Sequence, residues 1–165
     1  MSSFEGMLKS ADDVLQGIKD ILFEEKESGR LQHIKDIVVG QYSYSADFPQ
    51  IWVVDEQILN ESQAQNIVED DSVIVQFYTV EADKDPEAAY VMSREDALVL
   101  VDVFESNYTR RDPQDDPYFT KVEFLDVSLV DSPNASSIYV SSFCMRMKFY
   151  FRRGRFKKEL NKKRI

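Results

Sequence analysis

The sequence predicts an α+β domain: a mainly antiparallel sheet of about five strands with two helices packed on one face, in the order α-β-β-β-α-β-β. Three observations lead there. Two segments repeat their apolar residues every three to four positions, the period of one helix face. Several short runs rich in β-branched and aromatic residues lie between punctuating Pro, Asp and Ser clusters. Those runs arrive in groups rather than alternating with helices, which favours antiparallel neighbours.

The first helix is read over residues 4 to 27. Phe4, Met7, Leu8, Ala11, Val14, Leu15, Ile18, Ile21 and Leu22 line one face. Ser2 with Glu5 offers a capping box, and Gly29 suits a left-handed closing residue. Strands follow at Ile34 to Val39, at Gln50 to Val54 after Phe48-Pro49, and at Ser72 to Val80. The polar segment Asp55 to Asp71 reads as a solvated loop. A second helix is expected from a cap at Ser93 with Asp96, because Ala97, Leu100, Val101, Phe104 and Tyr108 share a face; it ends near Asn107. The segment Asp112 to Pro117 holds two prolines that neither a helix nor a central strand tolerates. Two long strands close the domain, Phe119 to Val130 and Ser137 to Phe151, joined by a turn at Ser132 to Ala135. The last strand alternates Tyr139, Phe143, Met145, Met147, Phe149 and Phe151 on one side with Arg146 and Lys148 on the other. The expected organisation is a single domain over residues 1–151 and a basic arm over 152–165.

Composition narrows the function classes. With 165 residues, 43% hydrophobic, the chain can bury one sizeable core. No apolar run is long enough for a membrane-spanning helix, and the start lacks a basic segment followed by an apolar one, so the protein is expected to stay where it is made. The one cysteine, Cys144, cannot form an internal disulfide and agrees with a reducing compartment. The sequons at Asn60, Asn107 and Asn134 therefore carry no weight. Charge is distributed unevenly: residues 146 to 165 hold a net +9, whereas residues 1 to 145 hold −19. The basic residues Arg146, Lys148, Arg152, Arg153, Arg155, Lys157 and Lys158 are candidates for docking on something negative.

Motifs for chemistry are sparse. Nucleophilic catalysis needs a base within reach of the nucleophile. The single histidine, His33, pairs with Cys144 only if the fold brings them together, and a buried structural thiol is the ordinary role of a lone cysteine. The acids Asp112, Asp115 and Asp116, and Glu69, Asp70 and Asp71, lack the spacing of a calcium loop and read as solvated loops. With 30 acids in the chain, no single carboxylate pair stands out for glycosidic chemistry. Gly6, Gly17, Gly29, Gly40 and Gly154 are too dispersed for a phosphate-binding loop. The expectation is no catalytic site, no cofactor and no metal. Arg152-Arg153-Gly154-Arg155-Phe156-Lys157-Lys158 has the mix of cations and an aromatic that suits nucleic acid. The acidic body repels a polyanion within a Debye length of about 8 Å, which confines such contact to the arm.

The order of elements resembles phage tail-terminator and tail-completion proteins, small α+β proteins that cap a tail tube and join it to the head. The resemblance is carried by an N-terminal amphipathic helix entering Gly29-Arg30-Leu31-Gln32-His33-Ile34-Lys35-Asp36-Ile37-Val38-Val39-Gly40. It continues through Asp47-Phe48-Pro49-Gln50-Ile51-Trp52-Val53-Val54, the Ser93 helix and the closing hairpin. It covers most of the chain as a pattern of elements; the basic arm and the Asp55 to Asp71 segment depart from it in length. The resemblance implies a virion structural protein without an active site, made in the host cytoplasm and placed at the head-to-tail joint. Such a protein forms a ring, commonly hexameric, around a DNA channel, with a tail tube protein on one side and a head-side connector protein on the other. DNA would pass without sequence-specific binding, and no membrane is involved. Subunits in such rings join sheets edge to edge and exchange arms. The basic residues above are then expected to meet Glu69, Asp70, Asp71, Asp115 and Asp116 of a neighbouring copy. The runner-up is an intracellular adaptor or regulatory domain whose arm holds nucleic acid or an acidic partner; the third reading is an enzyme with carboxylate chemistry.

Overall fold

The computed structural model describes residues 10–40, 47–60, 70–130 and 139–152. In chain order the elements are α1 (Ala11–Ser28), β1 (Asp36–Val39), β2 (Gln50–Asn60), β3 (Asp70–Asp83), α2 (Pro86–Asn107), β4 (Lys121–Val130) and β5 (Tyr139–Arg152). The five strands make one sheet in the order β1-β2-β3-β5-β4. All neighbours are antiparallel except β1 and β2, which run parallel from Asp36↔Gln50 to Val39↔Val53. The fold is α+β, as expected, with the last strand inserted between β3 and β4.

Both helices cover one face, because period-two alternation sends the odd-numbered residues of β3 and β5 toward them. Val73, Val75 and Phe77 stand beside Phe149, Met147 and Met145 in register. They form one cluster with Val14, Ile18, Ile21 and Leu22 of α1 and with Ala97, Leu100, Val103 and Phe104 of α2. Phe104 lies between Phe77 (ring centroids 4.9 Å) and Phe149 (5.4 Å), and Phe119 closes on Phe149 at 5.0 Å. Burying each of these rings is worth about 1.5–3 kcal/mol.

Helix α1 begins later than expected. Ser10 is extended (φ −114°, ψ 171°) and heads a capping box: its Oγ accepts from the Asp13 amide at 3.3 Å while Asp13 Oδ2 accepts from the Ser10 amide at 3.0 Å. That box breaks any continuous helix from residue 4, and the proposed Ser2 cap lies outside the described residues. Gly29 does not take the left-handed conformation (φ −117°). The helix closes instead by donation from the Gly29 and Leu31 amides to the Glu25 carbonyl, at 2.9 and 3.1 Å. Gly17 has a different reason to be glycine: the ring of Tyr118 lies directly on its backbone, and Tyr118 Oη donates to Asp20 Oδ2 at 2.6 Å.

Three further boundaries differ from the sequence reading. Both ends of the expected loop over Asp55 to Asp71 are strand: β2 continues to Asn60 and β3 begins at Asp70, with a bulge between Asp55 and Gln57, while residues 61–69 lie outside the described residues. Backbone pairing to the apolar run Val73-Ile74-Val75 overrides the weak strand preference of the polar side. Helix α2 starts seven residues ahead of Ser93, at Pro86. Asp85 is its N-cap, accepting from the Glu87 amide at 3.1 Å, and Pro86 occupies the first turn where no amide is needed. Ser93 is buried mid-helix and donates to the Tyr90 carbonyl at 3.0 Å. Finally, Phe119 precedes β4 and belongs to the core. The segment 112–117, with its two prolines, lies outside helix and sheet, as expected, and turns at Asp115 (φ 66°). The hairpin turn expected at Ser132 to Ala135 lies outside the described residues.

Candidate functional site

Two features stand out from the packing. The first is a cluster of buried ionisable groups at the end of the sheet that follows β3. Glu81 occupies the next core-facing position after Val73, Val75, Phe77 and Thr79, so the alternation that buries those residues buries a carboxylate as well. It pairs across the ladder with Ser141. Asp96 lies on the apolar face of α2, one residue before Ala97 and four before Leu100, and is only 5% exposed. His33 comes from the turn between α1 and β1, where the Ile34 amide donates to the Leu31 carbonyl at 3.1 Å. Its Nε2 meets Asp96 Oδ1 at 2.7 Å, with the imidazole about half exposed.

Electrostatics at this cluster are unusual. Burial, then a hydrogen bond to Asp96 and repulsion by its charge, push the Glu81 carboxyl up to about 9. Burial also raises Asp96, opposed by the hydrogen bond with Glu81. A carboxyl–carboxyl hydrogen bond needs a shared proton, and these directions place it on Glu81. Oδ2 of Asp96 is buried with no partner among ordinary donors. One ligand-capable atom from each of His33, Glu81 and Asp96 lies within 4.8 Å of the others. The arrangement can hold a proton or a cation.

The second feature is the edge strand β4. Among the described residues it pairs only with β5, from Lys121↔Tyr150 to Val130↔Ser142, with a bulge between Phe124 and Asp126. Phe124 and Leu129 lie in register with core-facing Met147 and Phe143, yet they are 42% and 53% exposed. At the start of β4, Glu105 of α2, Tyr108 just past its end, and Thr120, Lys121 and Val122 line a groove of about 300 Å³. The other face of β4 and β5 is polar. Arg146 Nη1 donates to Asp126 Oδ2 at 2.8 Å, Tyr150 Oη donates to Glu123 Oε2 at 2.9 Å, and the Lys121 and Lys148 ammonium groups sit 5.2 and 5.0 Å from the Tyr150 ring.

These positions locate the charged residues singled out from the sequence. Arg146 and Lys148 are strand residues on the polar face, and Arg152 ends β5 opposite Asp70. Asp71 is buried opposite Phe151. Asp115 is exposed in the turn, its carbonyl accepting from Arg111 Nη1 at 2.6 Å, and the Asp116 amide donates to Asp112 Oδ1 at 2.9 Å. Glu69, Arg153, Arg155, Lys157 and Lys158 lie outside the described residues. Cys144 is buried on the face away from Glu81, in register with Tyr78 and Ser128, whereas His33 engages Asp96; the Cys-His pairing is not formed. Sequence reasoning took Asp96 only as a capping residue and passed over Glu81. The signal was a charged residue at a core-facing period-two position, matched by another on the apolar stripe of a helix.

Among the described residues, no helix is long and apolar enough to cross a membrane. The fold and its two features define an α+β protein with an open sheet edge and a buried acid–histidine cluster. No protein-family model matches the chain, and comparison with curated proteins finds no similar sequence.

Proposed function

We propose that this protein is a structural component that assembles with copies of itself by sheet-edge joining, and that its place is the phage head-to-tail joint, as a ring capping the tail tube. The observation that carries the assembly is the β4 edge: an unpaired strand ladder, among the described residues, flanked by the exposed side chains of Phe124 and Leu129. Unpaired backbone groups beside apolar side chains are a template for strand addition. A second copy is the occupant favoured by charge, since residues 146 to 165 carry +9 and the remainder −19. A head-to-tail contact between such surfaces closes into a ring when the rotation permits. The virion role rests on the resemblance in element order, and with it the neighbours expected there: a tail tube protein, a head-side connector and passing DNA.

Light scattering coupled to sizing chromatography tests the assembly. The full chain is expected at a multiple of 19.2 kDa in moderate salt, with ring-shaped particles in negative-stain images. The double variant Phe124→Lys, Leu129→Lys is expected at the single-chain mass with its fold intact. Wild-type protein that stays at 19.2 kDa at every concentration and ionic strength, in the presence of tail tubes as well as alone, would overturn the proposal.

A further inference from the structure

The cluster at the end of β3 needs a proton or a cation between its carboxyl groups. Glu81 and Asp96 are 4% and 5% exposed, and two adjacent buried carboxylates cannot both stay ionised without positive charge between them. His33 Nε2 reaches only Oδ1 of Asp96, at 2.7 Å, so the buried Oδ2 is met by no donor unless a proton or a cation sits between it and Glu81. The remaining charges that act on the pair, Asp83 and Glu95, are also negative. We propose that His33, Glu81 and Asp96 form a binding site for a divalent first-row transition cation of the Zn²⁺ type.

The donor set selects that class. One imidazole nitrogen and two carboxylate oxygens suit zinc and its neighbours, whereas calcium takes six to eight oxygens and magnesium keeps most of its water. A doubly charged ion with a neutral imidazole balances the two carboxylates. Bonds of about 2.0–2.2 Å place ligand atoms at most about 4.4 Å apart; the three atoms lie within 4.8 Å of one another, so a small side-chain closure is needed to bring all three onto one ion. The half-exposed imidazole marks the access route and leaves the remaining coordination positions to water. A bound ion would tie the α1–β1 turn to β3 and α2, three elements that are distant in sequence. This site goes beyond the assembly proposed above and stands independently of it.

The chain has one histidine, so its ring signals report the site without ambiguity. Full-length protein stripped with a chelator is titrated with ZnCl₂ and followed by ¹H–¹⁵N spectra of the imidazole and by thermal unfolding. The His33 signals are expected to move saturably and Tm to rise, while CaCl₂ and MgCl₂ leave the ring unmoved. Glu81→Gln, which keeps the side-chain shape, is expected to weaken zinc affinity at least tenfold; His33→Gln, at a half-exposed position, is expected to abolish the Tm rise. Ring signals indifferent to ZnCl₂ would overturn the proposal and leave a shared proton as the cluster's cation. Zinc binding of equal strength in both variants would overturn it too, by placing the ion on surface carboxylates.

Discussion

Replacing Gly17 with alanine isolates the contact that seats α1 on the loop after α2. A Cβ at this position would lie 2.5 Å from Cγ and 2.8 Å from Cβ and Cδ1 of Tyr118, well inside van der Waals contact. Tyr118 has little room to retreat, being 5% exposed and tied to Asp20 through its hydroxyl. Two terms oppose each other. Alanine gains about 1 kcal/mol over glycine in a helix interior, and overpacking a filled core costs about 1–3 kcal/mol. With a rigid obstacle the second term wins, and the net loss is up to about 2 kcal/mol. For a chain of this size each kcal/mol lowers Tm by about 2–4 °C, so calorimetry should record a fall of up to about 8 °C. In a Tyr118→Ala background the ring contacts vanish and only the Cβ contact remains, so the penalty should shrink. An alanine variant as stable as wild type, or more stable, would refute the close approach of the Tyr118 ring.

Two other outcomes follow from the packing and the buried cluster. Chelator-treated protein should lose stability as pH rises from about 5 toward 9: the folded Glu81 carboxyl, raised mainly by burial, keeps a proton that the unfolded chain has released. Urea unfolding at pH 6, 7 and 8 should show a decline of up to about 1.4 kcal/mol per pH unit; Glu81→Gln should flatten it, and equal slopes in the two proteins would contradict the protonated state. Phe149→Ala, which removes the ring shared by Phe77, Phe104 and Phe119, should cost about 3–5 kcal/mol in the same assay; a cost below about 1 kcal/mol would mean that these rings do not form the centre of the core.

Local signals and tertiary signals divide the molecule. The face Val14, Ile18, Ile21 and Leu22 of α1, the alternation along β5 and the proline-marked turn at 112–117 were all legible, because each expresses a period or a backbone restriction within a few residues. The start of α2 was legible too, in Asp85 followed by Pro86, but the pair Ser93 and Asp96 imitates a cap equally well. Only burial separates the two, since Ser93 lies beneath β5 with its Oγ accepting from Ser141 Oγ at 2.9 Å. The extensions of β2 and β3 were hidden for a related reason: polar residues are held in a strand by a partner strand, and a partner is not a property of the segment itself.

The amino-acid order by itself determined the α+β class, the face of α1, the inward side of β5 and the concentration of positive charge from Arg146 onward, since these depend on periodicity and composition; for α2 it placed Ala97, Leu100 and Phe104 inward but also Tyr108, which is 51% exposed just past the helix end. Tertiary structure alone decided that β5 lies between β3 and β4, which leaves β4 as an edge with Phe124 and Leu129 uncovered. It also decided that His33, Glu81 and Asp96 meet. Strand order and the meeting of distant carboxylates depend on which surfaces bury the most apolar area together, a property of the whole chain that no local window contains.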